Sequence, residues 1–136
     1  FAEEVQIVKN TTSANEQTIN EVLSAAEILK IQDLIRKIPV ADNVVEYAVT
    51  LVAKTRPESD LASAQVKKYL SWGAGPRASQ FLVLAAKAHA AINGKYSPDI
   101  ENVKAIALPI LRHRIVRNYK AEAEGMSIEK LVHSLL

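Results

Sequence analysis

The chain has 136 residues, 49% of them hydrophobic and 24% charged, with a formal net charge of +2 and no cysteine. That length suits one domain with a modest core, the balance is ordinary for a globular protein, and the missing cysteine excludes disulfides and thiolate metal sites while fitting a reducing cytoplasm. No apolar run reaches membrane-spanning length, and so small a net charge does not by itself indicate nucleic acid. Its distribution is uneven, however: residues 1–60 carry ten Asp/Glu and six Lys/Arg, residues 61–136 five and eleven. The start at Phe1 and the acidic Phe1-Ala-Glu-Glu-Val5, with neither the basic nor the apolar part of a signal peptide, read as a fragment of a longer protein.

Along the chain, Glu3 to Asn10 places Val5, Ile7 and Val8 at spacings that predict a short amphipathic helix. Thr11 to Glu21 is rich in Ser, Thr, Asn and Gln and reads as a surface linker. Ser24-Ala-Ala-Glu27 has the capping-box pattern, so a helix starts there. Its Ile28, Ile31, Leu34, Ile35 and Ile38 recur at helical spacing and are expected in the core, with Pro39 ending the run. Asp42 is the expected N-cap of a second helix. Val44, Val45, Ala48, Leu51 and Val52 form its core stripe, and Thr55-Arg56-Pro57 stops it.

Residues 57–65 read as loop. Val66 to Trp72 fits either a short helix or an extended segment, with Trp72 expected as a packing anchor. Pro76 suits the first position of a long helix. Ala78, Leu82, Ala85, Ala86 and His89 line one face of it and Phe81, Leu84, Ala88 and Ile92 an adjacent one, so this helix should be central. Asn93-Gly94 offers a left-handed cap, and Ser97-Pro98-Asp99 opens the next helix with a serine cap and an N1 proline. Ile100, Val103 and Ala107 point inward there, and Pro109 should kink or end the run. A last helix follows Gly125-Met126, with Ser127 as cap and Ile128, Leu131, Val132 and Leu135 as its stripe. The pattern is all-α; no strand is predicted.

Self-contained chemistry is not indicated. A phosphate loop needs G-x-x-x-x-G-K-[ST]; the single Gly-Lys pair, Gly94-Lys95, has His89 in the first glycine position and Tyr96 in the hydroxyl position. His89, His113 and His133 form no H-E-x-x-H pattern, and His89 reads as a hydrogen-bonded core residue. No serine sits in a nucleophile elbow.

One segment stands out. Gly73-Ala-Gly-Pro-Arg77 puts an arginine in the first turn of the central helix, where free N–H groups and the positive end of the macrodipole disfavour a cation unless an anion compensates. Spacing leaves two readings: Arg77 pairs with a carboxylate of the chain, or the glycines, the helix N-terminus and the guanidinium together receive a phosphate. Arg112, Arg114 and Arg117 are either a basic contact to another surface or a solvated, internally paired stretch. Two rival classes follow: a helical nucleic-acid-binding domain using those arginines, and a protein-interaction module without a ligand, the latter favoured if Arg77 is internally paired.

Leu23-Ser-Ala-Ala-Glu-Ile28, Ile38-Pro-Val40, Tyr69-Leu-Ser-Trp-Gly-Ala-Gly-Pro-Arg-Ala-Ser79 and Leu111-Arg-His-Arg-Ile115, in that order and spacing, resemble the C-terminal lid region of MoxR-type AAA+ ATPases. The Tyr69–Ser79 stretch is the specific part of the resemblance, which spans nearly the whole chain. It implies an AAA+ lid-type bundle of about five to six helices, with short extended segments allowed, as a single lid domain over residues 1–136 whose ATPase core lies upstream. It implies ATP and Mg in the intact protein and none bound tightly by these residues alone; the ATPase activity would belong to the intact chain. In the G-x-x-P-R pattern of that family the arginine is the sensor 2 residue, which implies a γ-phosphate contact for Arg77, within its own subunit or across a subunit boundary, and a nucleotide-site role for Gly75 and Pro76. The implied partners are the chain's own core, neighbouring subunits in a hexamer, a von Willebrand A domain protein and a client protein undergoing chaperone-like remodelling or metal-cofactor maturation. Neither membrane nor nucleic acid is expected, and the implied location is cytoplasmic.

Overall fold

A computed structural model describes residues 1–14 and 20–136. The expected linker therefore falls partly outside the described residues. Two compact units are distinguished, residues 1–30 and residues 31–136.

In the first unit, α1 (Ala2–Thr12) buries none of its residues and runs two residues further than the pattern of Val5, Ile7 and Val8 predicts. The extra turn is accommodated because the Thr11 and Thr12 hydroxyls donate back to the carbonyls of Ile7 at 2.9 Å and Val8 at 2.7 Å, keeping both threonines compatible with helix. The capping box forms as expected: Glu27 N donates to Ser24 Oγ at 3.3 Å and Ser24 N to Glu27 Oε2 at 2.8 Å. The Ser24 N–H, and after it the Ser24 hydroxyl, which donates to the same Oε2 at 2.7 Å, hold the Glu27 carboxyl below its ordinary range. From there α2 (Ala25–Lys37) runs to the turn before Pro39.

The expected core role of α2 is not realised. No residue of this helix is buried, and Ile28, Ile31 and Leu34 remain 45%, 43% and 54% exposed. Helical periodicity establishes that these side chains share a face, but not what covers it.

The core lies in residues 31–136. Here α3 (Asp42–Lys54) buries Val44, Ala48, Leu51 and Val52, as its stripe predicts. Its N-cap is Ala41 rather than Asp42, which stands at the first helical position, so its carboxylate meets the helix dipole without capping it. Val66–Trp72 resolves into both of its alternatives. The helix α4 (Ala64–Tyr69), capped by Ser63 Oγ, passes directly into β1 (Leu70–Trp72). Beyond it, α5 (Pro76–Ile92) buries Ala78, Leu82, Ala86 and Ala90 and packs against α3 and α6 (Ile100–Leu111). Three alanines among those four let neighbouring helices approach closely while Leu82 supplies bulk. The helix ends in a Schellman motif: Lys95 N donates to Ala90 O, Gly94 N to Ala91 O, and Gly94 takes φ +71°.

The cap of α6 is Asp99, not Ser97, and Pro98 precedes the helix. Asp99 accepts from Asn102 N at 3.0 Å while Asn102 Oδ1 accepts from Asp99 N at 2.9 Å, a reciprocal box. Pro109 neither ends nor replaces the last turn; the helix continues to Leu111, since a proline this close to the C-terminus removes only one intrahelical bond. After a turn, β2 (Val116–Arg117) pairs antiparallel with β1, Leu70 opposite Arg117 and Trp72 opposite Val116. The short helices α7 (Tyr119–Ala123) and α8 (Ile128–His133) complete the unit, the second capped by Ser127 and burying Leu131 and Val132. Among the described residues, five longer helices, three short ones and a two-stranded sheet make the chain mostly helical, as expected of an AAA+ lid-type fold. Among the described residues no helix is long and apolar enough to cross a membrane.

Candidate functional site

The approach to α5 is fastened to the end of α3. Thr55 is fully buried; its hydroxyl donates to Val52 O at 2.6 Å and accepts from Ala74 N at 2.9 Å. Arg56 Nε donates to Ala74 O at 2.9 Å. A Cβ on Gly73 would stand 2.5 Å from both Arg56 Cα and Thr55 O, so two backbones touch at a place only glycine fits. Gly75 is different, because a Cβ there would meet nothing within 4 Å. Its openness leaves room beside the helix N-terminus rather than serving the chain's own packing.

Gly75 is the N-cap of α5 and offers no side chain to the first N–H groups, Pro76 occupies the first turn, and that turn contains no acidic residue. Arg77 is exposed, and among the described residues it makes neither an ion pair nor a hydrogen bond. The ion pairs among the described residues are Lys68–Glu124, Lys95–Asp99, Lys104–Glu101 and Arg112–Glu129. The local pairing of Arg77 with a carboxylate is thus not found, and the first turn of α5 keeps an unopposed positive field suited to an anion.

Arg77 opens onto a groove of about 500 Å³ lined also by Arg36, Gln80, Phe81, Val83, Leu84 and Lys87. Lys87 Nζ donates to Arg36 O at 3.1 Å, placing a cation on the last carbonyls of α2, where the dipole favours it. An adjoining apolar groove, about 440 Å³, runs along Ile31, Ile35, Ala85 and Ala88 and shares Arg36, Phe81 and Leu84 with the first. Spacing in the sequence did not mark Arg36 and Lys87, fifty-one residues apart, as neighbours.

The basic run near residue 115 is occupied within the chain. Arg112 pairs with Glu129 at 3.4 Å, Arg114 donates to Ile110 O at 2.6 Å, contacts His113 and stacks over Phe81 with its guanidinium carbon 5.1 Å from the ring centre, and Arg117 donates to Met126 O at 2.9 Å. This is the internally paired alternative, with Arg112 held only by a surface ion pair. His89 is half-buried and hydrogen-bonded, its Nδ1 2.9 Å from Asn102 Nδ2, and no three His, Asp or Glu side chains converge among the described residues. Trp72 is not the packing anchor expected: it is 72% exposed, because an irregularity in the β1–β2 register between Leu70 and Trp72 breaks the two-residue alternation that would otherwise put both on the core face.

The AAA lid domain family matches residues 62–135, a stretch that contains the α5 N-terminus and Arg77. The chain belongs to the AAA lid domain family. It is 31% identical to Chaperone MoxR1 of Mycobacterium tuberculosis over 116 residues, which is 85% of this chain and 31% of that protein. With the uncharacterized protein YeaC of Bacillus subtilis the identity is 25% over 137 residues, covering 100% of this chain and 40% of YeaC. The crystal structure of a candidate ATPase from Cytophaga hutchinsonii superposes with a TM-score of 0.80 at 29% identity over 98% of this chain and 41% of that one. The lid chain thus spans between a third and two-fifths of the length of these relatives. Its fold and similarities are those of the C-terminal lid region of a MoxR-type AAA+ ATPase.

Proposed function

We propose that residues 1–136 form the lid region of a MoxR-type ATPase, in which Arg77 acts as the sensor 2 arginine on the γ-phosphate of ATP. The observation that carries this reading is an arginine with no partner among the described residues, at a helix N-terminus without a side-chain cap, beside a groove that also holds Arg36 and Lys87. The donor set fits a phosphate: a forked guanidinium for bidentate bonding, the backbone N–H groups of Gly75 and Arg77 on either side of Pro76, and no carboxylate in the first turn to repel an anion.

ATP, with Mg held by the upstream core, would supply the phosphoanhydride that water cleaves. The lid's contribution is charge and position. Arg77 stabilises negative charge that develops on the terminal phosphate, and loss of that charge releases the hold on α5, so that the lid rotates as a unit. Gly75 leaves the approach open and Pro76 fixes the direction of the first turn. The uncovered apolar face of α2 supports association with an ATPase core. Neighbouring subunits of a hexameric ring, a von Willebrand A domain protein and a client protein for remodelling or cofactor maturation follow from the MoxR likeness, and the cysteine-free composition suits a cytoplasmic setting.

In the intact ATPase, Arg77→Ala should lower kcat by about a hundredfold, in the range found for a lost transition-state donor, while far-UV circular dichroism stays helical. Unchanged turnover in that variant would refute the assignment.

A further inference from the structure

We propose that Thr55 and Arg56 are positioning residues for Arg77, acting through the backbone of Ala74. Both polar groups of this one residue are held by the end of α3: its N–H by Thr55 Oγ and its C=O by Arg56 Nε, each at 2.9 Å. Thr55 is locked in turn, since its own proton goes to Val52 O at 2.6 Å, which leaves the hydroxyl oxygen aimed at Ala74 N. Gly73 removes the last play, because its backbone lies directly against Thr55 and Arg56.

Only Gly75 and Pro76 separate this clamp from Arg77, and proline fixes one of the intervening φ angles. On the far side, Ala78 is buried against the core and its N–H donates to Gly75 O at 2.9 Å. Arg77 is therefore the one charged side chain on a short segment anchored at Ala74 and again at Ala78. A long guanidinium arm on a loosely held helix start would sample many positions; a displacement near 1 Å at a catalytic contact is worth about a hundredfold in rate. Thr55 and Arg56 lie eighteen or more residues earlier in the chain, and the sequence reads them only as a helix stop.

The proposal rests on the γ-phosphate role of Arg77, and its test separates the two. In the intact ATPase, Thr55→Val keeps the shape but loses the hydroxyl, Thr55→Ser keeps the hydroxyl, and Arg56→Ala removes the second bond from a side chain that is only half-buried. We expect Thr55→Val and Arg56→Ala to lower kcat by about tenfold with KM for ATP within about twofold, and Thr55→Ser to stay within about twofold of the parent. Combined with Arg77→Ala, neither variant should reduce kcat further, because a residue that acts through Arg77 has nothing left to position. If the losses multiply with that of Arg77→Ala, or if both clamp variants turn over at the parent rate, the positioning role is overturned and the Arg77 assignment stands. Should Thr55→Val fail to fold, the Arg56→Ala pair of measurements decides alone. Parent-like turnover of Arg77→Ala itself overturns both.

Discussion

A single methyl group at Gly73 measures how tightly the α3–α5 junction is built. The Cβ of Gly73→Ala would lie 2.5 Å from Arg56 Cα, 2.5 Å from Thr55 O and 2.7 Å from Arg56 N, all backbone atoms at the end of a helix whose inner face is buried. They cannot swing aside as a side-chain tip would, so the segment must move instead. Overpacking of this kind costs about 1–3 kcal/mol, and separation of Ala74 N from Thr55 Oγ would strand a buried donor at about 1–3 kcal/mol more. Gly73 does not have positive φ, so alanine brings no backbone strain of its own and gains about 0.4–1 kcal/mol from a stiffer unfolded chain. The net expectation is a loss of about 2–5 kcal/mol. Gly75→Ala is the matched control: it meets nothing within 4 Å, and its small entropic gain is offset by the poorer N-cap preference of alanine, so its stability should stay within about 0.5 kcal/mol of the parent. Urea denaturation of the purified chain, followed by far-UV circular dichroism, compares the two. Equal midpoints for Gly73→Ala and Gly75→Ala would refute the argument from close backbone approach.

Leu82→Ala, at a fully buried position of the central helix, should cost about 2–5 kcal/mol in the same denaturation experiment. Asn102→Ala removes a buried amide that accepts from Asp99 N and donates to His89 Nδ1, and about 1–3 kcal/mol should be lost, with hydrogen exchange at the start of α6 accelerating first. Glu124 accepts from Lys68 Nζ at 2.8 Å and Tyr69 Oη at 2.7 Å, and these two, Lys68 foremost, hold its carboxyl below the ordinary 4.5. A lowered folded-state value means stability that is complete above 4.5 and lost as pH falls through the folded value; the raised Lys68 ammonium loses its share only as pH climbs above 10.5. The stability difference between the parent and Glu124→Gln should therefore be flat from neutral pH to 4.5 and shrink below it, and a difference that grows on acidification would contradict the arrangement.

Where a structural signal is local, the sequence carried it well. The Ser24–Glu27 box, the Ser127 cap, the Gly94 left-handed turn and Pro76 at the head of α5 each depend on residues within one turn of each other, and each is found in place. The errors in these local signals are slides of one or two residues, Asp42 to Ala41 and Ser97 to Asp99, the scale on which helix ends are set by the wider structure rather than by the cap residue alone. Val66–Trp72 was ambiguous because the chain changes conformation inside it: Leu70 faces the core as a strand residue one step after Tyr69 ends a helix. Arg112, Arg114 and Arg117 were open for a different reason. Their partners are Glu129, Ile110 and Met126, two of them backbone carbonyls, and a carbonyl has no signature in the sequence.

Two features share a physical logic that no residue pattern could complete. The α2 stripe is as regular as that of α3, yet α3 is buried and α2 is not. Arg77 sits at the disfavoured end of its helix, yet no carboxylate in the described residues meets it. In each case one side of the local rule is present and its complement is not found among the described residues, and the exposed α2 face borders the groove that Arg77 enters, joined to it through Arg36, Phe81 and Leu84. An apolar face and an unopposed cation side by side describe a surface built for two kinds of contact at once. On the proposed function, packing holds the lid to its neighbour whatever the nucleotide, whereas the Arg77 contact changes with phosphate charge. That reading separates attachment from sensing: removing Arg77 should uncouple the lid from the nucleotide without detaching it, and apolar-to-polar changes along Ile31 and Leu34 should do the reverse.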